Sequence, residues 1–356
     1  MDKFTHMSYP ARVLLGSGQI CQLPDEVSAL GAKRVMFCCT ESRMAQVQRI
    51  SGLLGEGAVG ICSDAKIFVP MSAVEKGRAA AIEHQADCLV SFGGGTAVGL
   101  AKAIALELGL PIIAIPTTYS GSETTHIQGI IHHDGVRRNN YDLRMLPKTL
   151  IYDPELAFDL PKDTSIASGL NAIAHAISSF LGKNANPVTD MFAEVGIREM
   201  SSALIGIARD PKDLVSRTQA FLGSWLCGTT VISAGTTLHH KMVHVLGGGW
   251  DLPHGPTHGI MLPHSTAYVS GVQPDQCHRI SLAFGHESRG DAANALYNLL
   301  EACRVPRGLK DLGLTRDALP EAANRIMTDQ YYCARAYDRD EILSRLEDAW
   351  EGRPPR

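Results

Sequence analysis

Residues 87–96 read DCLVSFGGGT, and the fold turns on that run. Residues 87–92 are mostly apolar, without alternation, which is the pattern of a strand buried on both faces. Three glycines then make a tight turn, and residues 96–108 (TAVGLAKAIALEL) carry Ala, Leu and Lys at helical spacing. Upstream, residues 34–39 (RVMFCC) read as another buried strand and residues 57–62 as a weaker one. Downstream, residues 111–115 (PIIAI) read as the next. Strands alternating with helices imply a parallel sheet covered on both faces. Its right-handed crossovers line the strand C-termini along one edge, where ligands bind.

Past Asp153-Pro154 strand-like runs mostly stop. Residues 167–182, 187–208, 212–228 and 233–246 are rich in Ala, Leu and Met and read as helices with apolar faces, as does amphipathic 339–350 (RDEILSRLEDAW). The expected organisation is an α/β dinucleotide-binding domain over 1–153, Rossmann-like with a parallel sheet, and an all-α domain over 154–356. A length of 356 residues agrees with two domains, at roughly 150 residues each. Lys+Arg 33 against Asp+Glu 37 leaves a net charge of −4, which argues against a general nucleic-acid or membrane-surface binder. No apolar run approaches the ~20 residues that span a bilayer, and the opening residues lack a signal-type apolar segment. The expectation is a cytoplasmic protein. Its nine cysteines are scattered without a CxxC pair and read as small buried hydrophobes in a reducing compartment.

The glycine loop is suited to an anion. Gly93, Gly94 and Gly95 let the backbone approach a phosphate, and the N–H groups opening the helix at Thr96 can donate to it. The spacing Gly93, Gly95, Gly99 fails the G-x-G-x-x-G fingerprint. A plain strand-to-helix turn competes with the ligand reading at this point. Residues 115–123 (IPTTYSGSE) follow the next strand at the same edge and are dense in hydroxyls, so the two loops together make a plausible pyrophosphate and ribose cradle. Glu41, just past the first strand, is placed to reach an adenosine ribose and would favour NAD, whereas Ser42 and Arg43 would accept a 2′-phosphate.

Six of the fourteen histidines fall between His239 and His264. His240 and His244 are four apart on one predicted helix and share a face, as Asn171 and His175 do on another. His254, His258 and His264 follow in DLPHGPTHGIMLPH. Two helices offering polar i, i+4 pairs into one space make a metal-site or active-site geometry.

The loop FGGGTAVGLAK, the loop IPTTYSGSE, the helix SGLNAIAHAI and the segment HHKMVHVLGGGWDLPHGPTHGIMLPH occur in the order found in the iron-containing alcohol dehydrogenase superfamily, which the chain resembles from about Ala11 to Ala349. Within it the PTTYSGSE loop, LPKTLIYDPEL, the NAIAHA helix and the HHKMVHVLGG run are similar to the maleylacetate reductase branch.

The resemblance implies a dehydroquinate synthase-like fold with the active site in a cleft between the domains. It implies that Gly93, Gly94, Gly95 and Thr96 hold the pyrophosphate of NADH or NADPH, and that Thr117, Thr118, Tyr119 and Ser122 contact the cofactor further along. Metal-using relatives carry one Asp and three His at positions matching Asn171, His175, His240 and His254, and His244 matches a further active-site histidine. Asn171 departs from that pattern, as does Gly99 where many relatives have Asp. A neutral amide in place of a carboxylate weakens binding of a divalent ion, so the expectation is a site that keeps its histidines without needing a metal.

By the same resemblance, the expected reaction is NAD(P)H-dependent reduction of the conjugated C=C of maleylacetate to 3-oxoadipate in aromatic-compound degradation. His244 or His240 would deliver the proton or stabilise the enolate, and His175, His254 and Asn171 would orient the substrate. The dicarboxylate also needs cations, for which Lys241 and protonated histidines are candidates. Arg137, Arg138 and Arg144 are weaker ones because a polar loop carries them. A homodimer is expected from the resemblance. The alternatives are a metal-dependent alcohol or polyol dehydrogenase on the same scaffold, a lyase or cyclase using NAD⁺ catalytically, and a nucleotide-binding module without catalysis.

Overall fold

The computed structural model describes residues 11–285 and 292–356, together with Phe4 and His6. The chain divides into two compact units, one reaching Leu160 and the other running from Pro161 to Arg356.

The first unit contains β1 (Arg12–Leu15), α1 (Leu23–Ala29), β2 (Val35–Cys38), α2 (Met44–Ser51), β3 (Ala58–Cys62), α3 (Met71–Glu83), β4 (Cys88–Gly93), α4 (Gly95–Leu108) and β5 (Ile112–Pro116). It closes with β6 (Ile127–Ile131), β7 (Arg137–Tyr141) and β8 (Thr149–Tyr152). Six strands form one sheet in the order β1-β8-β5-β4-β2-β3, and every pairing in it is parallel. β6 and β7 make a separate antiparallel hairpin.

Each central strand serves two cores, which is why its sequence is continuously apolar. Along β4, Cys88, Val90 and Phe92 pack with Leu23 and Val27 of α1 and Val47 and Ile50 of α2. Leu89 faces the other way, onto Val74 of α3 and Leu100 and Ile104 of α4. α4 is buried on most of its surface from Ala97 to Ala105. It stops at Gly109, whose φ of 69° is the left-handed cap that glycine adopts freely. The sheet prediction is met in kind and extended in number. β1, β8 and the hairpin were not read from sequence, since four- and five-residue strands without alternation carry little period.

The second unit is helical among its described residues: α5 (Lys162–Phe180), α6 (Pro187–Arg209), α7 (Leu214–Ala234), α8 (Leu238–Trp250), α9 (His254–Ser270), α10 (Pro274–Ala283), α11 (Ala292–Cys303), α12 (Leu319–Ile326) and α13 (Arg339–Glu351). α6 starts with a reciprocal capping box between Asn186 and Thr189, and Asp213 caps α7 through Ser216 N. The helix expected over 233–246 is corrected. Ala234 ends α7, Gly235 at φ 81° breaks the chain direction, and α8 begins only at Leu238.

Seven of the nine cysteines are buried and all are free thiols; Cys21 is exposed and Cys333 intermediate. No helix among the described residues is long and apolar enough to cross a membrane.

Candidate active site

In the sheet, β2 and β4 are neighbours, but their following segments leave in opposite directions. β2 leads through α2 to edge strand β3, and β4 leads through α4 to β5. Such a switch point opens a crevice beyond the strand C-termini. The residues at its two sides are Thr40–Arg43 and Gly93–Thr96, so Glu41 and the glycine loop share one edge. Glu41 is exposed, and its Oε2 accepts from Ser63 Oγ at 2.7 Å.

The glycine and threonine loops meet there. Gly93 has φ 138°, and its carbonyl accepts from Thr117 N at 3.0 Å. A Cβ at Gly94 would lie 2.9 Å from Thr118 Cγ2, and one at Gly95 would lie 3.4 Å from Ser122 Cβ. A side chain at Gly94 would press on Thr118 of the hydroxyl loop, while a Cβ at Gly95 would be in ordinary contact with it; both lie at the start of α4, where the first N–H groups have no partner within the helix. Thr96, Thr118 and Ser122 keep partial exposure, whereas Thr117 and Tyr119 are 1% and 0% exposed. The side chains of these last two are closed off from solvent. At Gly99 a Cβ would come within 3.0 Å of Val69 Cγ2, so the chain is built around the missing side chain.

One element of this cradle escaped the sequence reading. Lys102 of α4 is fully buried, and its Nζ donates to Ser122 O at 2.6 Å, Thr125 Oγ1 at 3.0 Å and Ile127 O at 3.2 Å. It ties the hydroxyl loop to the helix. Burial pulls its pKa down to about 7, with Glu123 opposing. Burial raises Glu123, whose Oε1 accepts from Tyr152 Oη at 2.8 Å.

In the helical unit, α5, α8 and α9 bring six imidazoles together. α5 carries Asn171 and His175, α8 carries His239, His240, Lys241 and His244, and α9 opens with His254 and carries His258. α9 comes close to α5 because its first residues there are small. A Cβ at Gly255 would sit 2.9 Å from Ala167 O, and one at Gly259 would sit 2.8 Å from Leu170 Cδ1.

His175 stacks on His240 with ring centres 5.5 Å apart, and His244 stacks on His254 at 6.1 Å. His240 also meets His244 at 6.0 Å and His258 at 5.2 Å. His240 Nδ1 lies 3.0 Å from Ser178 Oγ, while its buried Nε2 has no hydrogen-bond partner among the described residues. His239 and His258 belong to the group too: His239 Nε2 is 2.8 Å from His258 Nδ1, and His258 Nε2 is 3.1 Å from His254 Nε2. Burial, then the neighbouring rings, pushes His175 down to about 4 and His239 to about 3; His240 and His258 fall well below the ordinary range for the same reasons. These four rings are neutral at pH 7.

His244 and His254 are the exposed members. His244 Nδ1 is 3.1 Å from Tyr331 Oη, and Lys241 Nζ stands 5.9 Å from the centre of the same tyrosine ring. Tyr331, in the segment between α12 and α13, carries no periodic signal and was missed. His264 does not join the cluster's ring contacts; it is buried with Asp348, Arg345 and Arg353 as its charged neighbours. Arg138 and Arg144 are bound by Asp134 and Asp142 at the surface of the first unit, and Arg137 lies over the Phe68 ring.

A family model for "Iron-containing alcohol dehydrogenase" matches residues 10–154, and one for "Fe-containing alcohol dehydrogenase family, C-terminal" matches residues 165–350. The chain belongs to the iron-containing alcohol dehydrogenase family. Among its relatives in that family is a maleylacetate reductase from Burkholderia cepacia, 41% identical with 100% of each chain covered. Another, from Sphingobium indicum, is 39% identical with 99% of each covered. The crystal structure of maleylacetate reductase from Rhizobium sp. strain MTP-10005 superposes with a TM-score of 0.96 at 37% identity, covering 100% of both chains.

The family's name implies iron, and the residues present do not fit it. Among the described residues no three His, Cys, Asp or Glu side chains converge as an ion would require. The four positions where metal-using relatives hold their ligands contain no carboxylate here, and His254 Nε2 is already engaged by His258.

Proposed function

We propose that this chain is an NAD(P)H-dependent maleylacetate reductase working without a metal. The observation that carries this reading is the cluster of imidazoles on α5, α8 and α9 with Asn171 one turn before His175 on α5, at the place where metal-using members of the family need a carboxylate. Full-length similarity to maleylacetate reductases supports the same substrate.

Maleylacetate has a C=C bond conjugated to a ketone. When bound, the reduced nicotinamide supplies a hydride to the carbon β to that ketone. The π electrons move onto the ketone oxygen as an enolate, and a proton then adds at the neighbouring carbon to give 3-oxoadipate. Balanced, one NAD(P)H and one proton are consumed.

This chain's own residues have three tasks in that sequence. The glycine and hydroxyl loops hold the cofactor's phosphates by backbone N–H groups. An imidazole N–H near the enolate oxygen stabilises its charge, with an effect comparable to one oxyanion-hole donor of about 3 kcal/mol. His244 is the candidate proton donor, since it is the exposed imidazole of α8 and can be reprotonated from solvent. Lys241 supplies a cation for a substrate carboxylate. A conjugate addition puts charge on an oxygen that hydrogen bonds can hold, whereas interconverting an alcohol and a ketone depends more on Lewis-acid polarisation.

The test is a steady-state assay of metal-stripped protein with maleylacetate and NADH or NADPH. Expected is cofactor oxidation equal to substrate consumed, at a rate that chelator leaves unchanged. Activity lost to chelation and restored by Fe²⁺ or Zn²⁺ overturns the reading.

A further inference from the structure

The helical unit holds a cavity of about 220 Å³, and none of the clustered imidazoles lines it. Its floor is apolar. Leu170 of α5 and Leu300 of α11 line it at 3% and 2% exposure, with Gly259 of α9 between them. A Cβ at residue 259 would stand 2.8 Å from Leu170 Cδ1 and 3.3 Å from Leu300 Cδ2, so a side chain there would have to displace both leucines. Val305 and Leu312 add to the apolar lining. Among the described residues two charged side chains also line the cavity, Asp163 and Arg304, and both are exposed, which places them at its mouth.

An apolar cavity of about 150 Å³ already admits benzene, so this one has room for a six-membered ring with a substituent. The mouth sets the chemistry of that substituent. Asp163 Oδ1 has Lys162 Nζ at 3.9 Å, so its charge is answered nearby. Arg304 has no hydrogen bond or ion pair from its guanidinium among the described residues. The uncompensated charge is therefore positive, and the planar fork of a guanidinium matches a carboxylate. Arg304 also stands where α11 ends, at φ 56°. Its N–H donates to Glu301 O at 3.0 Å, and Val305 N–H donates to Leu300 O at 3.2 Å. Glycine takes this left-handed position freely, whereas an arginine held there is strained, a condition that gathers at ligand sites.

We infer that this cavity is a second ligand site, for a small aromatic monocarboxylate. The ring lies among Leu170, Leu300 and Val305, and the carboxylate pairs with Arg304. The site is separate from the proposed reductase chemistry, because a dicarboxylate placed here would bury its second charge against leucines. Its walls nevertheless belong to helices of the imidazole cluster: Leu170 immediately precedes Asn171 on α5, and Gly259 immediately follows His258 on α9.

The experiment is calorimetric titration of the full chain with benzoate, and with benzylamine as a ring of opposite charge. Expected is one saturable benzoate site with a dissociation constant of about 1 mM or tighter, and no saturable binding of benzylamine. Arg304→Gly removes the guanidinium at a position whose φ suits glycine, so the variant folds, and it is expected to weaken benzoate about tenfold or more. Val305→Trp fills the cavity and is expected to abolish the binding. Benzoate is expected to leave the KM for maleylacetate unchanged. The inference is overturned by the absence of a saturable benzoate site, by equal binding of benzylamine, or by benzoate affinity unchanged in either variant. A KM for maleylacetate that rises with benzoate overturns it too, since the ligand then occupies the substrate's place. Only this kinetic arm depends on the proposed reductase reading. If the unaltered protein does not turn over maleylacetate, that reading fails, while the titrations still decide the cavity.

Discussion

Gly255 lies against the backbone of Ala167: a Cβ built at residue 255 would stand 2.9 Å from the Ala167 carbonyl oxygen. That oxygen belongs to α5 and cannot rotate aside. The contact sets the approach of α9 to α5, and with it the distance of His254 and His258 from His175.

Gly255→Ala therefore has to separate the two helices. The expected cost is about 1–3 kcal/mol, the usual range for overpacking, with kcat falling as the imidazoles move apart. Urea unfolding and steady-state kinetics on the same preparation check both effects. A variant with unchanged stability and unchanged kcat contradicts the packing argument.

His244 is the exposed imidazole bonded to Tyr331. His244→Ala is expected to lower kcat by about 10²- to 10⁴-fold, the range for loss of a general acid. Tyr331→Phe removes only the hydroxyl and should cost far less. Rapid-quench measurement of the chemical step separates these outcomes from slow product release. Normal turnover by His244→Ala would remove this residue from the chemistry.

Lys102 holds the hydroxyl loop through three acceptors in the interior of the first unit. Lys102→Met keeps the length of the side chain and removes all three bonds, at about 0.5–1.5 kcal/mol for each bond lost, Ser122 O still accepting from Thr125 N and Thr125 Oγ1. The thermal midpoint should fall, and the dissociation constant for NADH should rise about tenfold, a change of about 1.4 kcal/mol. Fluorescence titration reads the second quantity. Unaltered NADH affinity in a folded variant shows that the loop does not need this tether.

His264 is 1% exposed, and neither ring nitrogen has a hydrogen-bond partner among the described residues. Burial pushes it down to about 4; Asp348 opposes that shift and Arg345 and Arg353 add to it. The unfolded chain takes up this proton near 6.5 and the folded chain only near 4, so the folded state binds fewer protons in between. Stability is then lost as pH falls from about 6.5 to about 4, by about 3 kcal/mol from this residue. His264→Leu is expected to flatten that part of the curve, which urea unfolding at pH 7 and at pH 4.5 measures. An equally steep loss in the variant would place the acid sensitivity elsewhere.

Much of the fold was legible from local pattern. The largely apolar runs at 34–39, 87–92 and 111–115 read as strands because a parallel sheet must bury both faces, and β2, β4 and β5 lie there. The i, i+4 pairs Asn171/His175 and His240/His244 read as shared helix faces, and α5 and α8 carry them. β1 and β8 were not legible, because Arg12–Leu15 and Thr149–Tyr152 are short and gain their strand conformation from pairing with each other and with β5. The helix read over 233–246 ran past a break because the apolar spacing continues through it, while the turn at Gly235 is a backbone event.

The sequence alone determined the kinds of groups at the site: glycines and hydroxyls at strand ends, histidines at helical spacing, and an amide where a carboxylate would bind a cation. These follow from residue identity and from intervals of a few positions. Tertiary structure alone decided how the groups are wired. That Lys102 ends on the carbonyls of Ser122 and Ile127, that Tyr331 reaches His244, and that Ser265 and the rings of His239, His258 and His254 stand within hydrogen-bond distance of one another all depend on chain segments far apart in sequence. Hydrogen bonds act over about 3 Å, so only packing could bring those partners within range.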